Sequence, residues 1–229
     1  MVIVLDRQGS VPRQVYELLL EKIQVAELRP GQSVNERELA ALLGISRTPI
    51  REAMRKLSND GLLEIVPHVG TTVAQVDPRK VYECCLIRES LESMAAEEAT
   101  KHFTPPAGRM LDRLIAEQEE TIVTGDMVRN IAVDSEFHSV IHRLSGFNTM
   151  ADVLRRVMAE VVRVRHLSIK LPGRLREPIE EHRQIVVAMR AGDQKRASAA
   201  MKRHIELSMA SVMLVMDTHP EFLTRAAGK

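Results

Sequence analysis

The sequence predicts a mainly α-helical chain in two parts: a small helical unit closed by a β-hairpin, then an all-helical bundle. Three observations predict it. Aromatic residues are scarce, with no Trp, two Tyr and four Phe in 229 residues, so Leu, Ile, Val, Met and Ala must fill the interior, which suits helix packing better than sheet packing. Apolar residues recur at three- and four-residue steps over most of the chain. Strand-like runs are confined to residues 62–76, and none follows Asp77-Pro78.

Residues 1–10 read as a tail. A helix is expected from Pro12 to about Leu28, with Val15, Leu18, Leu19 and Ile23 on its apolar side, before the turn signal Arg29-Pro30-Gly31. Asn35 caps a second helix, with Glu38 three residues on as a capping box requires, and Gly44 ends it. Ser46 caps a third, which carries Arg47, Thr48 and Pro49 in its first turn and stops at Asn59-Asp60-Gly61. Leu62–Val66 and Thr71–Val76 then read as two strands around the turn Pro67–Gly70. Helix, helix, short glycine turn, helix and hairpin make a winged helix-turn-helix over residues 11–76. Asp77-Pro78 opens a second domain, 77–229, with helices expected at about 78–102, 106–124, 126–145, 148–171, 178–191 and 194–217, between breaks such as Thr104-Pro105-Pro106, Gly125-Asp126, Gly146 and Gly192-Asp193.

Several classes are set aside by composition. No apolar run approaches the roughly 18 residues that cross a membrane, and no signal-peptide pattern opens the chain. Cys84 and Cys85 are neighbours whose side chains leave a helix in different directions, so they do not pair, and a reducing cytoplasm is expected. Net charge is only +1, and residues 1–76 hold nine Lys or Arg against nine Asp or Glu. Bulk charge therefore argues weakly against nucleic acid. Local placement argues for it. Arg47, Arg51 and Arg55 stack on one face of the third helix, away from Ile50, Met54 and Leu57. Three like charges in a row repel one another, and an anionic partner explains them; the alternative is a solvated basic helix in a generic α+β domain.

The bundle carries a second constellation. Asp134 and His138 lie one helical turn apart. His182 sits among Ile179, Val186 and Met189, and His204 among Ala197, Met201, Leu207 and Ser211, each on a core-facing stripe. Each histidine alone reads more simply as a satisfied core residue, and the Asp/His pair as a surface ion pair. Together they suit one divalent ion, since a buried polar group without a partner costs about 1–3 kcal/mol. Imidazole and carboxylate suit Zn²⁺ first, with Ni²⁺, Mn²⁺ or Fe²⁺ as alternatives. His142 is a spare one turn beyond His138; His68, His102, His166 and His219 have no evident partners as ligands. Glu136 and Glu181 adjoin ligands but are expected to project elsewhere on their helices, which leaves no dedicated general base. Arg88, beside the stripe Val81, Cys84, Cys85 and Leu91, is a candidate carboxylate binder, or an exposed arginine pairing with Glu89 or Glu92.

These residues resemble a known family. Residues 28–73, LRPGQSVNERELAALLGISRTPIREAMRKLSNDGLLEIVPHVGTTV, are similar to the GntR family of bacterial transcription regulators. The remainder resembles the FCD ligand-binding domain of its FadR subfamily, through Arg88 and Glu92 in IRESLE, Asp134 to His138, EHRQIVVAMRAGD at 181–193 and MKRHI at 201–205. The resemblance implies a homodimer on a palindromic operator, with DNA contacts carried over to Arg37, Arg47, Arg51 and Gly70; Thr48 joins them in the first turn. The wing departs from the usual pattern: Val69 stands where an arginine often precedes the glycine, and His68 is left to substitute. The resemblance further implies that Asp134, His138, His182 and His204 bind a divalent metal, that a small organic acid completes its coordination, that Arg88 contacts this effector, and that acyl-CoA is not the ligand. The expectation is a metabolite-responsive regulator, commonly a repressor. Its rivals are a metal sensor, in which the ion is the signal, and a metal-dependent hydrolase.

Overall fold

A computed structural model describes residues 10–167 and 177–218 together with Pro220 and Leu223. The chain forms two compact units, one running to Asp77 and rejoined at Pro220, the other spanning Pro78–His219.

In the first unit, α1 (Val11–Gln24), α2 (Glu36–Leu43) and α3 (Arg47–Asn59) precede an antiparallel hairpin of β1 (Leu63–Val66) and β2 (Gly70–Val73). Leu63 is opposite Val73, and Val66 is opposite Gly70. Val15, Leu19 and Ile23 of α1 pack on Ile50, Met54 and Leu57 of α3, and Leu63 and Val73 close the same core. The Tyr16 hydroxyl donates to Asp60 at 2.8 Å, tying α1 to the end of α3. The segment before α2 extends the hairpin: Val34 N–H donates to the Thr71 carbonyl and Val73 N–H to the Gln32 carbonyl, each at 2.8 Å.

Several expectations are corrected at element ends. α1 stops at Gln24, not near Leu28, because Ala26 takes a left-handed φ of 58° and Leu28 N–H returns to the Lys22 carbonyl. β2 ends at Val73; Val76 instead pairs with Leu223 in an isolated parallel bridge. Asn35 caps α2 by accepting from the N–H groups of Arg37 and Glu38, but Glu38 answers to the Asn35 side-chain amide and not to its backbone, so the capping box is a variant. Ser46 has the extended backbone of a cap but makes no side-chain cap bond. Gly44 turns α2 into α3 at a left-handed φ of 63°, and Gly70 takes φ of 143° where the wing returns into β2; both conformations favour glycine.

The second unit holds α4 (Pro78–Lys101), α5 (Pro105–Thr124), α6 (Met127–Ser145), α7 (Asn148–Leu167), α8 (Glu177–Arg190) and α9 (Gln194–Thr218). The expected extension of the fourth of these to 171 falls outside the described residues, as does His219. Thr104 caps α5 and Asp126 caps α6 with side-chain oxygens, and Gly125 and Gly146 end α5 and α6 in left-handed turns. Ala95, Ala96 and Ala99 put little bulk on the buried face of α4, and α4 packs on α6, α7, α8 and α9. Phe137, Ile141, Ile185, Met201 and Ile205 complete a core lined almost entirely by aliphatic side chains. Cys84 and Cys85 are both free and buried, and burial pushes the Cys85 thiol up to about 11.

Candidate functional site

The basic face of the first unit follows from helix geometry. Ile50, Ala53, Met54 and Leu57 anchor α3 in the core, which turns Arg47, Thr48, Arg51 and Arg55 outward, all exposed. Arg37 on α2, and His68 and Gly70 in the wing, are exposed as well. His68 sits at a left-handed φ of 63°, so the wing tip is a constrained turn. The like-charge stripe is offset locally by Glu36 at the start of α2. Arg51 Nε donates to Glu36 Oε2 at 2.7 Å, and Arg47 Nε lies 3.6 Å from Glu36 Oε1.

In the second unit Asp134 and His138 come from α6, His182 from α8 and His204 from α9. All four are buried, and each offers a ligand atom such that all four atoms lie within 4.8 Å of one another. This brings the four sequence-predicted ligands to one point. The imidazole rings crowd together, with His182 and His204 centroids 4.6 Å apart and His138 5.2 Å from His204. Phe137 stacks on His182 at 4.0 Å and walls that side.

The surrounding side chains orient the rings. Gln118 of α5 lies 2.8 Å from His182 Nδ1 through its carbonyl oxygen, which can only accept, so Nδ1 donates. Glu181 Oε2 lies 2.9 Å from His204 Nδ1. Arg88 Nη2 lies 3.1 Å from His138 Nε2. Arginine has no acceptor, so Nε2 is the bare nitrogen and Nδ1 carries the proton; Nδ1 lies 2.5 Å from Glu92 Oε2, a close contact outside hydrogen-bond geometry. Each of the three rings thus carries a proton on Nδ1, and His138 and His182 keep the lone pair on Nε2, the tautomer a metal ligand needs. Inside the cluster, His182 Nε2 is buried with no hydrogen-bond partner, 3.7 Å from Asp134 Oδ1. An orphaned ring nitrogen facing a carboxylate is costly in a protein interior. A cation there satisfies both, so the donor set fits a divalent ion.

Protonation agrees with that reading. Burial, aided by the charge of Arg88, brings His138 down to about 4. Burial, then the neighbouring His204, keeps His182 well below the ordinary imidazole value. Burial alone would raise Asp134, but Arg165, His138 and His182 outweigh it and hold the carboxyl well below its usual range. Glu92 is likewise held low, its burial outweighed by Arg88 and His138. Near pH 7 His138 and His182 are therefore neutral and Asp134 is a carboxylate, the forms that coordinate metal.

The structure also settles the expectations around the cluster. Arg88 is at its wall, yet it is 1 % exposed and held by Glu92 at 2.5 Å; the alternative of a surface arginine is overturned, and its pairing with Glu92 is kept. Glu181 does not project away as its place on the helix predicts. It adjoins His182 on α8, but its three-carbon reach takes it to His204 on α9. Glu136 does project away, pairing with Arg143 at the surface. His166, read as ordinary, is buried and drawn down to about 4 by burial and then by Arg165.

Residues 12–73 match the model of the bacterial regulatory proteins of the gntR family, and residues 83–207, more than half of the chain, match the FCD domain. The chain is a GntR-family transcriptional regulator with an FCD domain. The family is one of DNA-binding regulators and not of enzymes. The regulator is 32% identical over 86% of its length to a probable D-xylose utilization operon transcriptional repressor of Paenarthrobacter nicotinovorans, and covers 86% of that protein. It is 24% identical to the HTH-type transcriptional repressor RspR of Escherichia coli K12, across 96% of both chains. Among solved structures, E. coli McbR/YncC superposes with a TM-score of 0.81 at 26% identity, covering 92% of this regulator and 99% of that chain. No helix among the described residues is long and apolar enough to cross a membrane.

Three groups around the cluster of this regulator escaped sequence reasoning: Gln118, Arg165 and the inward Glu181. Gln118 had a signal. It falls on the buried stripe of α5 with Leu111, Leu114 and Ile115, where an amide needs a partner. Arg165 pairs with Asp134 across α7 and α6, a contact that depends on tertiary packing and leaves no local mark.

Proposed function

We propose that this regulator is a homodimeric repressor whose affinity for a palindromic operator is lowered by a small organic acid bound at a divalent-metal centre in its helical unit. The observation that carries the reading is the buried Asp134, His138, His182 and His204 cluster, with the His182 and His204 rings oriented by Gln118 and Glu181, in a chain whose other unit exposes Arg47 and Arg51 on α3.

On the DNA side, Arg47 and Arg51 supply planar forks suited to guanine O6 and N7 in the major groove. Thr48 and Arg37 approach phosphate or neighbouring base edges, and His68 and Gly70 bring the wing backbone to the duplex. A dimer places two such helices on half-sites about one helical turn apart. On the sensing side, Asp134, His138, His182 and His204 would hold the ion, Zn²⁺ first among Zn²⁺, Ni²⁺, Mn²⁺ and Fe²⁺. When bound, such an ion supplies a Lewis-acid position for a carboxylate. Arg88, now engaged by Glu92 and His138, turns its guanidinium to a second acceptor of the same acid. Gln118 and Glu181 fix the rings, and Phe137 keeps water from one side. The names of RspR and the xylose-operon relative, both repressors, support repression as the mode.

The test is a thermal-shift screen of small carboxylic acids on the metal-loaded protein, followed by operator binding with each hit. An acid that raises the melting temperature and releases operator supports the reading. Release that tracks metal concentration with no acid present would make the ion the signal. A His182→Ala variant that melts lower yet keeps the full acid response would reduce the metal to a structural part.

A further inference from the structure

Glu36 opens α2 on the same exposed face as the arginines that the proposed function places in the DNA groove, and that function assigns it no role. A carboxylate there is unfavourable for affinity, because it faces the phosphates that the arginines attract. Yet the structure builds it in. Asn35 fixes the start of α2 by capping the N–H groups of Arg37 and Glu38, which leaves Glu36 at the first helical position. Its Oε2 accepts from Arg51 Nε at 2.7 Å. Its Oε1 is buried without a hydrogen-bond partner, 3.6 Å from Arg47 Nε. The Glu36 side chain is 24% exposed, against 50% and 60% for the two arginines. Both contacts engage the Nε edge. Among the described residues, the terminal amino groups of Arg47 and Arg51 have no partner, so each fork stays available.

We infer that Glu36 is a specificity-determining positioning residue: it clamps Arg51 by its Nε edge and draws Arg47 toward the same anchor, so that both forks are presented in a fixed register to base edges. The inference rests on the reading of Arg47 and Arg51 as base contacts. A free arginine loses rotamer freedom when it docks, and on random DNA it slides to phosphate instead. A clamped arginine loses less on docking, and it is held off the phosphates. The carboxylate therefore trades sequence-independent attraction for discrimination between sites.

The test uses the full chain, a duplex selected by the wild-type protein from genomic fragments, and a scrambled duplex of equal length and composition. Glu36→Gln keeps an acceptor and removes the charge; Glu36→Ala removes both. The expected result is tighter binding of the scrambled duplex by both variants and a fall in the selected-to-scrambled affinity ratio, about tenfold for Glu36→Ala and less for Glu36→Gln. A second readout is the Arg51 Nε–H resonance in the free protein, expected to be protected from exchange in the wild type and broadened in both variants, which a merely structural role would not alter. An unchanged ratio with Arg51→Ala still abolishing discrimination would overturn the clamp alone. Discrimination that survives Arg47→Ala and Arg51→Ala would overturn the base-contact reading beneath it. Should Glu36→Ala melt far below the wild type, Glu36→Asp decides: the clamp predicts partial recovery of the ratio, and full loss contradicts it.

Discussion

Gln118 shows how much one side chain decides at the buried cluster. Its carbonyl oxygen holds His182 Nδ1 at 2.8 Å, and its amide nitrogen lies 3.5 Å from Asp134 Oδ1. Gln118→Ala frees the His182 ring and removes a partner of Asp134. Metal affinity is expected to fall about 10–100-fold, measured by competition with a colorimetric chelator; an unchanged affinity would remove Gln118 from the site. Protonation gives a second expectation at this scale. His138 titrates at about 4 in the folded protein, against an ordinary value of 6.5. Between those values the unfolded chain binds the extra proton, so stability of the metal-stripped protein falls as pH drops from 6.5 toward 4, by on the order of 3 kcal/mol for His138 alone. His166 moves in the same direction. Urea midpoints at pH 7.5, 6 and 5 check it, and a flat series contradicts it. Asp134 and Glu92, held low, add losses only at still lower pH.

Among the elements, the helices were legible wherever a cap or breaker stood in the sequence. Gly44, Gly125-Asp126, Gly146 and Gly192-Asp193 mark ends that the structure keeps within a residue or two. The misplaced ends have no such mark: α1 closes on a left-handed alanine, which propensity does not foresee, and β2 is cut short because Val76 pairs with Leu223, far away in sequence. The same division runs through the site. The grouping of Asp134, His138, His182 and His204 was legible because two lie one turn apart and two interrupt apolar stripes; the contacts of Arg165 and Glu181 were not, since they join different helices. Asn35 offers a test on α2. Asn35→Ala removes both cap bonds and is expected to lower stability by about 1 kcal/mol, read from the denaturation midpoint of the full chain. A change within error would show that the cap is replaced by water.

The whole molecule has two units with separate cores, one exposing arginines and the other burying an Asp/His cluster that could hold an ion. An ion bound only by the folded state stabilises it by about 2.7 kcal/mol at a hundredfold excess over Kd, so chelation is expected to lower the melting temperature of the wild type and leave a His182→Ala, His204→Ala double variant unmoved. Equal shifts in both would place the metal elsewhere. The central claim, however, is coupling: an acid held in the helical unit and an operator held by α3 oppose each other through one equilibrium, and coupling of this kind is reciprocal. The most direct measurement is calorimetric titration of the acid found by thermal shift into metal-loaded protein, with and without saturating operator duplex. The account predicts weaker acid binding in the presence of operator, by the same factor by which the acid weakens operator binding; equal affinity in the two titrations would contradict it.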